Sequence, residues 1–276
     1  MSLQGVVAAV LLVSMMLGAG LETNRAALLS VITKSGLLFR ALAANFIIVP
    51  LVAVLLSRGF RLSDSIATGL LLMAIAPGVP FLVLSGGRQR GGSHEFAIAL
   101  AFLMPALSTL TIPITAELVL PTGEHPNVPP SYLLSLLIYQ LVPLLAGAIM
   151  ARRLPIVARM LVRPTGSITF AAFVALLTIL APAMIRGAAV IFGTFGLLAM
   201  LLTVVLSLAI GWILGGRERS YRRTLAIGTA LRNPGVAMLI ATARFPGTSV
   251  ASGVAAYFLI QIIVTMLAGN VFKARS

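Results

Sequence analysis

The chain has 276 residues, of which 59% are hydrophobic and only 9% charged, and its net charge is +14. A soluble domain is about one quarter charged, so a deficit spread along the whole length excludes an ordinary soluble globule and indicates a polytopic membrane protein. The absence of cysteine excludes disulfides and thiolate metal sites.

Nine apolar spans follow one another, each close to the ~20 residues that cross a bilayer as a helix. The first is 3–21 and ends in Glu22-Thr23-Asn24. The second, 35–57, holds Asn45 well inside, and the third, 64–86, carries Ala76-Pro77-Gly78-Val79-Pro80 near its centre. The glycine-rich SGGRQRGGS (85–93) that follows lacks the ending of a phosphate loop and reads as a turn. The fourth span is 96–120, and the loop PTGEHPNVPP (121–130) after it has no Lys or Arg. The fifth, 131–151, contains Tyr139 and Gln140; the sixth and seventh are 164–185 and 188–214. The eighth, 222–244, is interrupted by Arg232-Asn233-Pro234-Gly235-Val236, and the ninth, 250–272, contains Gln261 and Thr265. Tyr139 with Gln140, and Gln261 with Thr265, suit either a cavity lining or helix–helix hydrogen bonds. Trp212 and Tyr132 sit near span ends, where aromatic rings anchor at the interface.

A charge of +14 raises the possibility of nucleic acid, but the basic residues lie in short loops, where they set membrane orientation instead. One set of span ends holds fifteen Lys and Arg, the other only Arg58, Arg61, Arg186 and Arg244. The positive-inside rule therefore predicts an N-terminus outside and a C-terminus in the cytoplasm, in a plasma or inner membrane. One basic residue, Arg232, belongs to neither set because it lies near the middle of its span. A charge at that depth costs about 2.5–3.5 kcal/mol on the insertion scale. Snorkelling accounts for Arg40, close to a span end, but not for Arg232, which is expected to face a protein interior or a watery cavity.

Pro77-Gly78 and Pro234-Gly235 break two spans at mid-membrane, where unpaired backbone is tolerated only inside protein. Both breaks read Pro-Gly-Val, and each falls in the third member of a set of four spans. With a linking helix at about 131–151 between them, the sets about 3–120 and about 164–272 have opposite orientations. The whole chain, 1–276, is thus expected to be one all-α transporter domain built as an inverted repeat, with two crossing discontinuous helices at its centre.

At these residues the sequence resembles the bile acid:sodium symporter family. MMLGAGLETN (15–24), AANFIIVP (43–50), IAPGVP (75–80), STLTIP (108–113) and GTALRNPGVAMLIATARFP (228–246) are similar to family segments in order and spacing, across essentially the entire chain. The resemblance implies the nine-helix form of the fold, with a panel domain and a core domain. In sodium-coupled members one sodium is held by a Ser-Asn pair after the first break, by hydroxyls on the next helix and by a glutamate before the second break. The corresponding positions here are Leu82 and Val83, Ala101 and Pro105, and Gly228, which offer no hard side-chain oxygen. At the second sodium site, family glutamines correspond to Asn45 and Arg232. The resemblance thus implies that a fixed guanidinium stands where a mobile cation binds, while Asn233 keeps the family's asparagine.

The expected function is a secondary-active carrier of small organic anions, symporter-like, with its partners that anion and the lipid bilayer; the missing ligands leave open whether sodium is a partner. The expected binding residues are Arg232, Asn233, Asn45, Pro77, Gly78, Pro234 and Gly235. No catalytic residue, metal site, cofactor or nucleic-acid partner is expected: the motifs of intramembrane enzymes are absent, and His94 and His125 lie in loops. An efflux carrier related to auxin and arsenite permeases, or a non-transporting interaction protein of the membrane, are the alternatives.

Overall fold

A computed structural model describes residues 3–78, 92–121, 135, 137–192 and 195–274. Helix α1 (Leu3–Leu21) has no charged residue along its length. It packs against α6 (Val142–Arg153) and α7 (Pro155–Phe192). Side chains of lipid-soluble helices gain little from leaving lipid, so close backbone contact does the work of hydrophobic burial. At Gly20 a Cβ would stand 2.2 Å from the Leu144 carbonyl oxygen, so only glycine permits the α1–α6 contact. Thr169 Oγ1 donates to Ser14 Oγ at 3.0 Å and ties α7 to α1.

A short helix, α2 (Arg25–Ile32), follows, in a stretch the hydropathy pattern leaves as a loop. Asn24 caps it by accepting the Ala27 amide at 2.7 Å, and at eight residues it is too short to span. Helix α3 (Ser35–Gly59) spans but is not uniform: residues Ala44–Ile48 form a π-helical turn just before Pro50. Helix α4 (Asp64–Ile75) is capped at neither end by a side chain and stops at the first break. The predicted continuation of that span to residue 86 lies outside the described residues, as do the loop at 122–130 and Tyr132.

Helix α5 (His94–Val119) runs through Pro105 and Pro113. A second π turn, Leu137–Leu141, leads into α6 and again precedes a proline, Pro143. Helix α7 is longer than the expected 164–185. Its 38 residues reach about 57 Å at 1.5 Å per residue, so it projects beyond the hydrocarbon. It runs through Pro164 and Pro182, and Gly187 does not end it either, since a lone glycine inside a helix costs only about 1 kcal/mol. Helix α8 (Gly196–Leu214) accordingly begins later than the pattern suggests. The eighth span is two helices, α9 (Arg219–Ala230) and α10 (Pro234–Arg244), and α11 (Val250–Ala274) closes the bundle.

Among the described residues, α1, α3, α5, α7, α8 and α11 are each long and apolar enough to cross a membrane. The described halves of the broken spans, α4, α9 and α10, are not, because each is only 11 or 12 residues long. They are instead enclosed: α4 packs on α11 and α3, α9 on α8 and α5, and α10 on α1 and α11. All residues of α4 from Ile66 to Ile75 and of α9 from Arg223 to Ala230 are buried. That burial is what allows irregular backbone at membrane depth.

Candidate functional site at the crossing of two helix breaks

Two segments distant in sequence stop being helical at the same point in space. Pro77 cannot donate an amide hydrogen, and α4 ends two residues before it. Pro234, with its fixed φ, suits the first position of a helix and starts α10. Between them the two breaks run antiparallel and meet at an isolated bridge between Pro77 and Arg232. The Asn233 amide donates to the Ala76 carbonyl at 2.9 Å. Gly78 makes this approach possible, since a Cβ there would lie 2.5 Å from Asn233 Cβ. Asn233 Oδ1 also caps α10, accepting the amides of Gly235 at 3.1 Å and Val236 at 3.2 Å.

The peptide groups freed by the second break are satisfied from α11. Gln261 Oε1 accepts the Arg232 amide at 2.9 Å, and Gln261 Nε2 donates to the Arg232 carbonyl at 3.2 Å. One side-chain amide thus serves as a strand partner for a single residue. Unpaired, each of those two groups would cost about 1–3 kcal/mol in an apolar interior. Thr265 Oγ1 donates to the Gln261 carbonyl, one turn along. Of the two readings the sequence leaves open, Gln261 takes interhelical hydrogen bonding, whereas Thr265 bonds back to the Gln261 and Ile262 carbonyls of its own helix.

The Arg232 side chain is fully buried. Its Nη1 donates to the carbonyls of Asn45 at 3.3 Å and Ala74 at 3.2 Å. Both oxygens are available for identifiable reasons. In the π turn the Val49 amide bonds to Ala44, so Asn45 would next be served by residue 50, a proline without an amide hydrogen. Ala74 lies in the last turn of α4, whose carbonyls have no helical partner and form the negative end of the helix dipole. The side chain of Asn45, meanwhile, links α3 to α9, with Nδ2 donating to the Ala41 carbonyl at 2.9 Å and to Thr229 Oγ1 at 3.5 Å.

Several polar atoms here are buried without a hydrogen-bond partner among the described residues: Nε and Nη2 of Arg232, Nδ2 of Asn233, Oδ1 of Asn45 and the Tyr257 hydroxyl. Tyr257 precedes Gln261 by one turn of α11 and is an electrostatic neighbour of Arg232. All seven residues expected at the site are buried and belong to this crossing. Ala74, Thr229 and Tyr257 were not anticipated. A carbonyl gives no sequence signal, and a lone hydroxyl in an apolar span resembles any other.

At the positions where the family resemblance places sodium ligands, Ala101 and Gly228 are buried and Leu82 and Val83 lie outside the described residues. The Pro105 carbonyl accepts from Ser108 Oγ at 2.9 Å, Thr109 Oγ1 at 3.1 Å and the Gln140 side-chain amide. Gln140 therefore joins the second π turn to α5. Among the described residues no group of three or more His, Asp and Glu is placed to hold a metal ion.

Apart from the crossing, a cavity of about 650 Å³ opens between the α1–α2 turn, α5 and α6. Thr23, Asn24 and Arg25 line one side, Phe102 another, and Ala148 and Arg152 a third. Arg232 is not part of its wall.

Crossed helix breaks enclosed by helices that can span a bilayer define a class: an all-helical, integral, multi-pass membrane protein with discontinuous helices. Within that class the chain belongs to the sodium bile acid symporter family, whose sequence model matches residues 9–214. The matched stretch contains the first break and ends before α9. Among curated proteins, P3 protein of Homo sapiens is 26% identical over 137 residues, 47% of this chain and 28% of the human protein. P3 protein of Bos taurus is 27% identical over 122 residues, 41% of this chain and 24% of the bovine protein. The matches thus span about a quarter of the length of these relatives. Family membership thus places the chain among proteins that the family's description calls sodium bile acid symporters.

Proposed function

We propose that this chain is a secondary transporter of small organic anions in which Arg232 supplies, as a fixed charge, what a bound sodium supplies in sodium-coupled members of the family. The observation that carries this reading is the placement of Arg232 Nη1 between the Asn45 and Ala74 carbonyls. Two oxygen dipoles at a π turn and at a half-helix C-terminus attract a cation, and here a covalently attached one takes them. The crossing then needs no soluble cation to hold its half-helices together, so sodium is not a required partner.

The anion is assigned to the cavity between the α1–α2 turn, α5 and α6, where Arg25 and Arg152 offer two guanidinium groups suited to a carboxylate or sulfonate. Phe102 and Leu145 supply apolar wall for the rest of the solute. In this reading α1, α6 and α7 form the panel and the remaining spans the core. The repeats run over about 3–120 and about 164–272, joined by the helix at about 131–151. The N-terminus is outside and the C-terminus cytoplasmic.

The test is uptake into proteoliposomes of a labelled bile acid and of smaller carboxylates, with sodium or choline outside at equal ionic strength. Saturable uptake of an anion that is equal in the two media supports the reading. Uptake that rises saturably with sodium overturns the fixed-charge part. No saturable uptake or counterflow of any anion in a reconstituted, folded protein overturns transport of organic anions.

A further inference from the structure

The turn between α2 and α3 meets the turn between α8 and α9 at the end of the bundle where basic residues concentrate. Together they enclose a cavity of about 360 Å³. Its wall includes Lys34, Arg40 and Arg217 against one carboxylate, Glu218. Two of these cations are held in place. The Lys34 ammonium lies 4.3 Å from the centroid of the Tyr221 ring and donates to the Tyr221 hydroxyl, a hydrogen bond that raises its pKa above the ordinary lysine value. Arg40 Nε donates to the Gly36 carbonyl at 3.0 Å, which brings its terminal nitrogens over Gly216. Gly216 has a φ of +83° and no side chain to fill the space, since a Cβ there would reach 3.6 Å from Arg40 Nη2.

Two further features fix the depth of this cavity. Trp212 and Phe272 stack with centroids 5.2 Å apart, and the Arg222 guanidinium lies 4.9 Å from the Trp212 ring. Such a layer of aromatic rings and arginine marks the headgroup level of a bilayer. Phe39, adjacent to Arg40, and Ile213, two residues before Gly215, are 72% and 69% exposed. Fixed cations at headgroup depth thus adjoin apolar side chains that face outward.

We propose that this cavity binds the phosphate headgroup of an anionic phospholipid, with Lys34, Arg40 and Arg217 on the phosphate and Phe39 and Ile213 against the acyl chains. Arginine's planar fork suits paired phosphate oxygens, and basic pockets beside membrane helices recognise anionic headgroups. The apolar flanks select the lipid over a free phosphate ion, which has nothing to place against them. None of these residues belongs to the crossing or to the solute cavity, so the inference stands apart from the transport reading.

The test uses the full-length protein in detergent, titrated separately with short-chain phosphatidylglycerol, short-chain phosphatidylcholine and inorganic phosphate. Melting temperature and native mass spectrometry are the readouts. Phosphatidylglycerol is expected to raise the melting temperature saturably and to remain bound in the mass spectrum. Half-saturation should weaken at least tenfold in Arg40→Gln/Arg217→Gln. It should weaken severalfold in Arg217→Gln alone, an exposed turn position whose loss leaves the packing intact. Arg58→Gln, at the far end of α3, should match the wild type. The proposal is overturned if Arg217→Gln binds phosphatidylglycerol as the wild type does, or if phosphatidylcholine stabilises equally. It is also overturned if inorganic phosphate gives the same saturable rise at equal concentration, which would make this a free-phosphate site.

Discussion

Arg232 Nη1 occupies the carbonyl of Asn45 that Pro50 leaves without an amide, 187 residues earlier in the chain. A proline in one span therefore prepares the acceptor for an arginine in another. The pairing needs the π turn as well, because that turn gives the Val49 amide to Ala44.

The Arg232 series follows from this pairing. Arg232→Lys keeps the charge but loses the planar fork, and should retain part of the transport rate. Arg232→Gln restores the family's residue without its glutamate, so anion transport should fall at least tenfold with no sodium dependence gained. Gly228→Glu with Arg232→Gln should recover a measurable sodium dependence, because it returns a carboxylate and an amide near Asn45. Wild-type transport and melting temperature in Arg232→Gln would contradict the fixed-charge role.

Gly78→Ala tests the crossing itself. The added methyl would meet Asn233 Cβ at 2.5 Å, so the breaks cannot close without displacing backbone. A loss of several degrees in melting temperature and of most transport is expected. Gly36→Ala, where a Cβ meets nothing within 4 Å, should behave as the wild type. Equal melting temperatures for the two variants would refute the close approach.

Gln261→Leu removes both hydrogen bonds to the Arg232 peptide while keeping the volume. Two buried backbone groups lose their partners, so the destabilisation should be about 2–6 kcal/mol by denaturant unfolding. Gln261→Glu, which can still accept from the Arg232 amide, should cost less. The reverse ranking would show that Gln261 acts through its packing alone.

Glu22, just past the end of α1, is mostly buried, and desolvation pushes its pKa up to about 7. The folded state therefore binds this proton more tightly than the unfolded chain. Its stabilising contribution is fully present below the ordinary glutamate pKa, near 4.5, and is lost as pH rises through 7. Melting temperature should fall between pH 5 and 8 in the wild type, and Glu22→Gln should flatten that slope. An unchanged slope in the variant would assign the pH dependence elsewhere.

Membrane topology is tested by single cysteines in a chain that has none. Gly123→Cys should react with an impermeant maleimide added outside intact cells, and Gly92→Cys only after permeabilisation. Labelling of both from the same side would refute the crossing of α5 between residues 92 and 123 and with it the span count, and the reverse pattern would refute the proposed orientation.

Much of the architecture is local and is therefore written in the chain. Helix positions follow from runs of about twenty apolar residues, which cross a bilayer wherever they occur. The two interruptions follow from Pro-Gly pairs, which act within a few residues of themselves. The cost of Arg232 at mid-span is also a local quantity, and it is enough to require that this side chain be enclosed, as it is.

What meets Arg232 is not local. The Asn45 and Ala74 carbonyls come from elements far from it in sequence, and a carbonyl belongs to every residue alike. Gln261 was ambiguous between a cavity lining and a helix contact until α11 was placed beside the second break. The π turn before Pro50 depends on a widening by one residue that no apolar pattern records. Residues 25–32 form a helix through a cap and a packing surface on α5, not through hydropathy. Charge, polarity and chain breaks determined which residues had to be enclosed. The tertiary structure decided the partners, because hydrogen bonds across the bundle depend on distances that only the assembled helices define.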